Sequence, residues 1–124
     1  MRPHLYILKG KEPIPEPDSI EWNYWFSTAD RRVADTLIGE VRISTVFLGL
    51  DYNFSMFGSP VLFETVIFGG VDDGFQRRYC TWQEAEQGHQ ETVLFVKQFS
   101  KAEGQVNELF KELEIESLLK ELKK

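Results

Sequence analysis

The chain has 124 residues, the size of one ordinary domain, too short for two independent cores and long enough to bury one without disulfide staples. Apolar residues make up 42% and aromatics 14%, with ten Phe and three Trp, which argues against global disorder. A formal charge of −6, from 20 acids against 14 bases, disfavours binding to nucleic-acid phosphates, and the single cysteine, Cys80, excludes an intramolecular disulfide and suits a reducing compartment.

Residues 4–9, His4-Leu5-Tyr6-Ile7-Leu8-Lys9, predict a first strand. The run is too short for the apolar part of a signal peptide, and no later stretch approaches the ~20 apolar residues of a membrane span. The expectation is a cytoplasmic protein that neither crosses nor enters a membrane. Glu12-Pro13-Ile14-Pro15-Glu16-Pro17 alternates three prolines and predicts an extended connector without regular structure. Asp18 or Ser19 then caps a short helix with Trp22, Trp25 and Phe26 on one face. These aromatics are read as core, with a ligand platform as the alternative if the indoles are exposed.

Glu40 to Leu50 predicts a strand, and Val61 to Phe68 a second, both rich in β-branched and aromatic residues. Gly69-Gly70-Val71-Asp72-Asp73-Gly74 supplies turn residues, and Phe75 to Cys80 offers a third strand of an antiparallel meander. Thr81-Trp82-Gln83-Glu84 is a capping box opening a helix over about 82–99, with Trp82, Ala85, His89, Val93 and Val96 on the core-facing stripe. Gly88 inside that helix predicts close approach of another backbone.

A second capping box, Ser100-Lys101-Ala102-Glu103, predicts a terminal helix to Lys124. Its apolar residues fall on two nearly opposite faces, Val106, Leu109, Phe110 and Leu113 against Ile115, Leu118, Leu119 and Leu122. Either the helix breaks near Glu114, or it presents the second cluster to a partner, a second copy included. The fold class read from these patterns is α+β: an antiparallel β-meander of three to four strands with helices packed on it and a long C-terminal helix. Residues 1–124 form a single domain, with 1–99 as core and 100–124 as an interaction element.

No phosphate-cradling glycine loop, zinc-spaced Cys/His cluster or nucleophile elbow occurs, so neither a metal nor a cofactor is expected. The carboxylates of Asp51, Glu64, Asp72 and Asp73 are candidates for convergence. Glu64 shares an alternating face with Leu62, Val66 and Phe68 and needs a partner, for which Arg42 is the candidate, or else acts as a functional acid. His89 reads as a hydrogen-bonded core histidine, with catalysis or a ligand contact as the alternative. Asp51, Glu64 and His89 are therefore the candidate polar anchors of a pocket between sheet and helices. Asp72-Asp73-Gly74 reads as a turn before a cation site, Cys80 as an inert thiol, and Arg31-Arg32 and Arg77-Arg78 as solvated surface. The loop Asp51–Pro60 carries Tyr52, Phe54, Met56 and Phe57, and either folds back over the sheet edge or forms a recognition surface.

Three runs in order, Ser44-Thr45-Val46-Phe47-Leu48-Gly49-Leu50-Asp51, Leu62-Phe63-Glu64-Thr65 with Phe68-Gly69-Gly70, and Arg78-Tyr79-Cys80-Thr81-Trp82-Gln83-Glu84-Ala85 through Gly88-His89, resemble small uncharacterised proteins of tailed bacteriophages and prophages. The resemblance covers roughly residues 20–90. In that family a histidine often stands at the position of Tyr52 and a small residue such as serine at that of Cys80, which argues against essential catalysis at either. The resemblance implies a small protein acting in an infected bacterial cytoplasm and carries over no activity. The expected function is a non-enzymatic accessory protein that binds a host or phage protein, with host machinery or defence as targets, through Tyr52, Phe54, Met56 and Phe57 and through Ile115, Leu118, Leu119 and Leu122. The alternatives are a small-molecule binder or minor enzyme with a pocket between sheet and helices, and a virion structural or assembly component.

Overall fold

The computed structural model describes residues 2–99 together with Leu113 and Lys120. The chain divides into two compact units, Met1–Val93 and Leu94–Lys124. The elements in order are strands β1 (Tyr6–Lys9) and β2 (Glu12–Pro15), helix α1 (Ser19–Thr28), strands β3 (Arg32–Ile38), β4 (Val41–Phe47), β5 (Phe63–Phe68) and β6 (Gln76–Tyr79), and helix α2 over 82–99. β1 and β2 form a two-stranded antiparallel sheet, and β3-β4-β5-β6 a four-stranded antiparallel meander in chain order. The α+β class and the meander thus stand as read. The second helical cluster, Ile115, Leu118, Leu119 and Leu122, lies outside the described residues, as does any break near Glu114; Leu113 is helical and exposed.

Two elements differ from the sequence reading. The proline segment pairs with β1 instead of remaining irregular, with Ile7 opposite Ile14 and Lys9 opposite Glu12. Prolines at alternate positions direct their missing donors to one side of the strand. The amides between them stay available, and that of Glu16 donates to Leu5 O at 2.9 Å. Strand β3, which the reading left unassigned, forms the edge of the meander and carries a bulge between Arg32 and Ala34. Both short hairpins close on two-residue loops, Gly10-Lys11 and Gly39-Glu40. Gly10 (φ 64°) and Gly39 (φ 58°) take the left-handed first position while no non-glycine residue has positive φ, the signature of type II′ turns.

Alternation along the meander buries one face. Ile43, Thr45 and Phe47 of β4, Phe63, Thr65 and Ile67 of β5 and Tyr79 of β6 are buried, whereas Glu64, Val66 and Phe68 lie on the opposite, partly solvated face. Glu64 therefore keeps access to water, and its partner is not Arg42. Arg78, directly opposite on β6, donates from Nε to the Glu64 carboxylate at 2.8 Å, while Arg42 engages Asp35 across β3. Register decides the pairing, because Arg42 stands opposite Phe68 on β5.

The core is built from Tyr6, Phe47, Leu62, Phe63, Tyr79 and Ala85, with Leu8, Trp25, Val33 and Trp82 packed around it. Phe47 lies between Trp25 (5.7 Å) and Phe63 (5.3 Å), and Trp82 meets Phe63 edge-on at 6.2 Å. Asp18 caps α1, accepting from the amides of Ile20 and Glu21. Of the three aromatics expected on one face of α1, Trp22 is buried and Trp25 and Phe26 are partly buried, and the Trp22 indole donates to Tyr6 O (2.9 Å) and Gly49 O (3.1 Å). Thr81 accepts from the Glu84 amide at 3.1 Å, starting α2, whose Ala85, His89, Thr92 and Val93 are buried.

Gly88 admits a close approach, but to the Tyr79 side chain rather than to a backbone. A Cβ at that position would lie 2.2 Å from Tyr79 Oη and the ring carbon Cε1. In a free helix Gly→Ala stabilises by up to ~1 kcal/mol. Here overpacking reverses the sign, and Gly88→Ala is expected to destabilise the protein by about 2 kcal/mol in urea unfolding. A variant as stable as the parent would contradict the packing of Tyr79 against α2.

Candidate functional site

Three regions carry the chemistry-bearing side chains: the loop between β4 and β5, the interface between α2 and the meander, and an open groove. The loop is anchored by Asp51, which is 3% exposed. Asp51 Oδ1 accepts from the amides of Asn53 (2.8 Å) and Val61 (2.9 Å), and Oδ2 accepts from Arg2 Nε (3.0 Å). Burial works against its charge, but the two amides and the guanidinium outweigh it and hold the carboxyl below its ordinary range. The loop interior repeats the device. Asn53 Nδ2 donates to Phe57 O and Ser59 O, Asn53 Oδ1 accepts from the Ser55 amide, and Ser55 Oγ accepts from the Phe57 amide.

This scaffold presents Phe54 (82% exposed), Met56 (88%) and Phe57 (83%) to solvent. The loop does not fold back over the sheet edge. Tyr52 stays half-buried at its base, under the Arg78 guanidinium at 4.7 Å and 6.1 Å from the Phe54 ring.

Between α2 and the meander lies a chain of polar groups. Thr36 Oγ1 meets His89 Nε2 at 2.8 Å, His89 Nδ1 meets Thr45 Oγ1 at 2.7 Å, Thr45 Oγ1 meets Thr65 Oγ1 at 2.6 Å, and Thr65 Oγ1 meets Tyr79 Oη at 3.0 Å. His89 is fully buried, and burial pushes it below its ordinary value, with the Asp35 carboxylate pulling the other way. A neutral imidazole satisfies both neighbours in either tautomer. The arrangement is that of a structural core histidine, with both ring nitrogens engaged inside the protein.

The groove, of about 920 Å³, runs from the Gly10-Lys11 turn past the first turn of α2 to Ser59 and Pro60 at the foot of the loop. Tyr6 and Leu62 contribute to its floor, and Lys11, Glu12, Trp82, Glu84 and Glu86 to its walls. Cys80 also lines it. Burial, with Glu84 and Asp51 adding to it, pushes this thiol up, the wrong direction for a nucleophile.

The three expected pocket anchors do not come together. Asp51 clamps the loop, Glu64 pairs with Arg78, His89 joins the buried hydroxyls, and none of them lines the groove. Asp73 Oδ1 accepts from the Gly69 amide at 2.7 Å, as a turn requires. Among the described residues no cluster of His, Cys, Asp and Glu could hold a metal ion, and no helix is long and apolar enough to cross a membrane. The groove was missed because Lys11 and Trp82 are remote in sequence. Its one local signal was Trp82 and Glu86, one helical turn apart on α2.

The depressed pKa of His89 has a definite sign. The unfolded state takes up a proton near the ordinary histidine value of ~6.5, which the folded state refuses until a lower pH. The contribution of His89 to stability is thus complete above that value and is lost as pH falls toward the folded-state value, with a slope of at most about 1.4 kcal/mol per pH unit. Urea unfolding at pH 7.5 and 5.5 should show this loss in the parent and a much flatter dependence in His89→Gln. An equal slope in both proteins would assign the effect elsewhere.

Compared with protein-family models, curated proteins and solved structures, the chain matches none of them.

Proposed function

We propose that this protein is a non-enzymatic binding module that engages a protein partner through Phe54, Met56 and Phe57. One observation carries the reading: three large apolar side chains, 82–88% exposed, stand on a loop whose backbone is fixed by its own side chains. A chain gains nothing from exposing a close set of such residues on one loop unless something covers them. The fixed loop removes part of the ordering cost that a flexible segment incurs on binding. Aromatic side chains are favoured as interface anchors, and methionine adapts to irregular surfaces.

The interior supports the same reading from the other side. His89, the residue best suited to general acid–base work, is enclosed by Thr36 and Thr45, and the one cysteine is held as a thiol. The resemblance to phage proteins implies that the partner is a host or phage protein in a bacterial cell.

The test places a photo-crosslinking phenylalanine analogue at position 57 in the protein expressed in bacterial cytoplasm, followed by purification of the captured partner. The parent should bind that partner in solution, and Phe54→Asp/Met56→Asp/Phe57→Asp should weaken binding by about 100-fold or more. Exposed positions leave stability nearly unchanged, within ~0.5 kcal/mol per site. Equal binding by parent and variant, or no defined adduct, overturns the reading.

A further inference from the structure

The groove at the foot of the loop has a feature that points to its occupant: a cation of the chain itself already sits in it. Lys11 Nζ lies 5.8 Å from the centre of the Trp82 ring and 3.8 Å from Glu86 Oε1. The same Glu86 oxygen accepts the Trp82 indole N–H at 2.7 Å, so the carboxylate and the ring are fixed to each other. Ring face and carboxylate together make a seat for a cation.

Lys11 holds that seat weakly. Its side chain is 71% exposed and that of Glu86 50%, and an exposed ion pair with an exposed cation–π contact contributes little to stability. The walls are also unbalanced in charge, with the carboxylates of Glu12, Glu84 and Glu86 against the ammonium of Lys11 alone. Amides of the first turn of α2 offset part of this, yet Thr81 accepts from the Glu84 amide there and the carboxylates outnumber the ammonium.

We propose that the groove receives a basic, extended segment of the protein partner, one of whose lysine or arginine side chains displaces Lys11 from the seat formed by Trp82 and Glu86. The volume, about 920 Å³, falls in the range of clefts that receive a drug-sized ligand, and the groove is open along its length to an extended segment. Continuity with Ser59 and Pro60 brings the groove to the return leg of the loop that carries Phe54, Met56 and Phe57. A partner held by those side chains therefore has a path into the groove. The overall charge of −6 favours encounter with a basic partner. The proposal rests on the protein-binding reading above, and deepens it by giving the partner a chemistry.

Fluorescence anisotropy of a fluorescein-labelled peptide of alternating lysine and proline, roughly ten residues long, tests it on the full chain. An acidic peptide of the same length and free spermidine serve as comparisons. Lys11→Gln vacates the seat and should tighten the basic peptide about threefold, whereas Glu86→Gln should weaken it by a similar factor. Lys9→Gln removes the same charge nearby without touching the seat and should change affinity by less than about 1.5-fold. Equal effects of Lys9→Gln and Lys11→Gln would reduce the result to general electrostatics and overturn the proposal. So would absence of binding, or spermidine binding with the same response to Lys11→Gln and Glu86→Gln, which would make the occupant a small polyamine. The peptide carries no apolar anchor, so its binding reads the groove while capture through position 57 reads the loop, and either can fail while the other stands.

Discussion

Four hydrogen bonds in series, running from Thr36 through His89, Thr45 and Thr65 to Tyr79, fix how helix α2 lies on the meander. Each of the four strands contributes one member, and the helix contributes the imidazole. Buried polar groups cost free energy unless they are paired, and in a low-dielectric interior the penalty for an orphan exceeds the gain from any one bond. A strand that slipped by one residue would turn its apolar side chains to water and leave a hydroxyl or a ring nitrogen without a partner. The chain of bonds therefore checks the register of every strand against the helix. Gly88 belongs to the same constraint, since it makes room for the Tyr79 ring where the chain ends. With α2 placed, Trp82 and Glu86 in its first turns are placed too, and so is one wall of the groove.

Asp51 performs the second fixing, beyond the C-terminal end of β4. The backbone amide of Asp51 donates to His4 O and that of Tyr6 to Gly49 O, so the N-terminal hairpin is attached to the chain that leaves the sheet. Its carboxylate then closes the loop by accepting from Asn53 and Val61. A charged acceptor with two amides and a guanidinium makes stronger bonds than a neutral one would, and its near-complete burial shields them from competing water. The apolar tips of the loop stand exposed on a backbone held by its own hydrogen bonds, whereas a loop of the same composition without them would be free to collapse onto the nearest apolar surface.

The sequence made much of this visible wherever the evidence was local. The Thr81 capping box, the stripe through Ala85, His89 and Val93, the Asp18 cap and the strands β4, β5 and β6 all followed from periodicity and end signals over a few residues. What failed depended on partners far along the chain. Strand β2 was obscured because proline was read as a breaker without regard to its alternate spacing, and β3 because Arg32 and Asp35 interrupt its apolar pattern on an exposed edge. The choice between Arg42 and Arg78 as the partner of Glu64 needed the register of two strand pairs, which no local pattern specifies. The site behaved in the same way. Aromatic composition marked the loop, but only its internal hydrogen bonds decided between folding back and projecting outward. Asp51, Glu64 and His89 drew notice as isolated polar residues in apolar runs, and each is now accounted for by a structural partner. Lys11 drew none, since a lysine after a glycine in a turn is ordinary until the fold brings it over a tryptophan.

In the proposed binding module, the loop and the groove would divide the work of recognition along physical lines. Exposed aromatic side chains gain free energy by leaving water, a gain that is short-ranged and nearly blind to the identity of the surface that covers them. Charge acts at longer range and discriminates, because a like charge brought against the groove walls is repelled before any contact forms. A surface made of the loop alone would bind apolar patches indiscriminately, and one made of the groove alone would hold its ligand weakly, since each exposed ion pair contributes so little. Set side by side on one unit, they would, under the proposal, select for a partner that offers an apolar recess next to a basic segment. Lys11 would add a threshold to that selection, because an incoming cation would have to outcompete one already present, and a segment with a single weakly placed charge would gain nothing by the exchange.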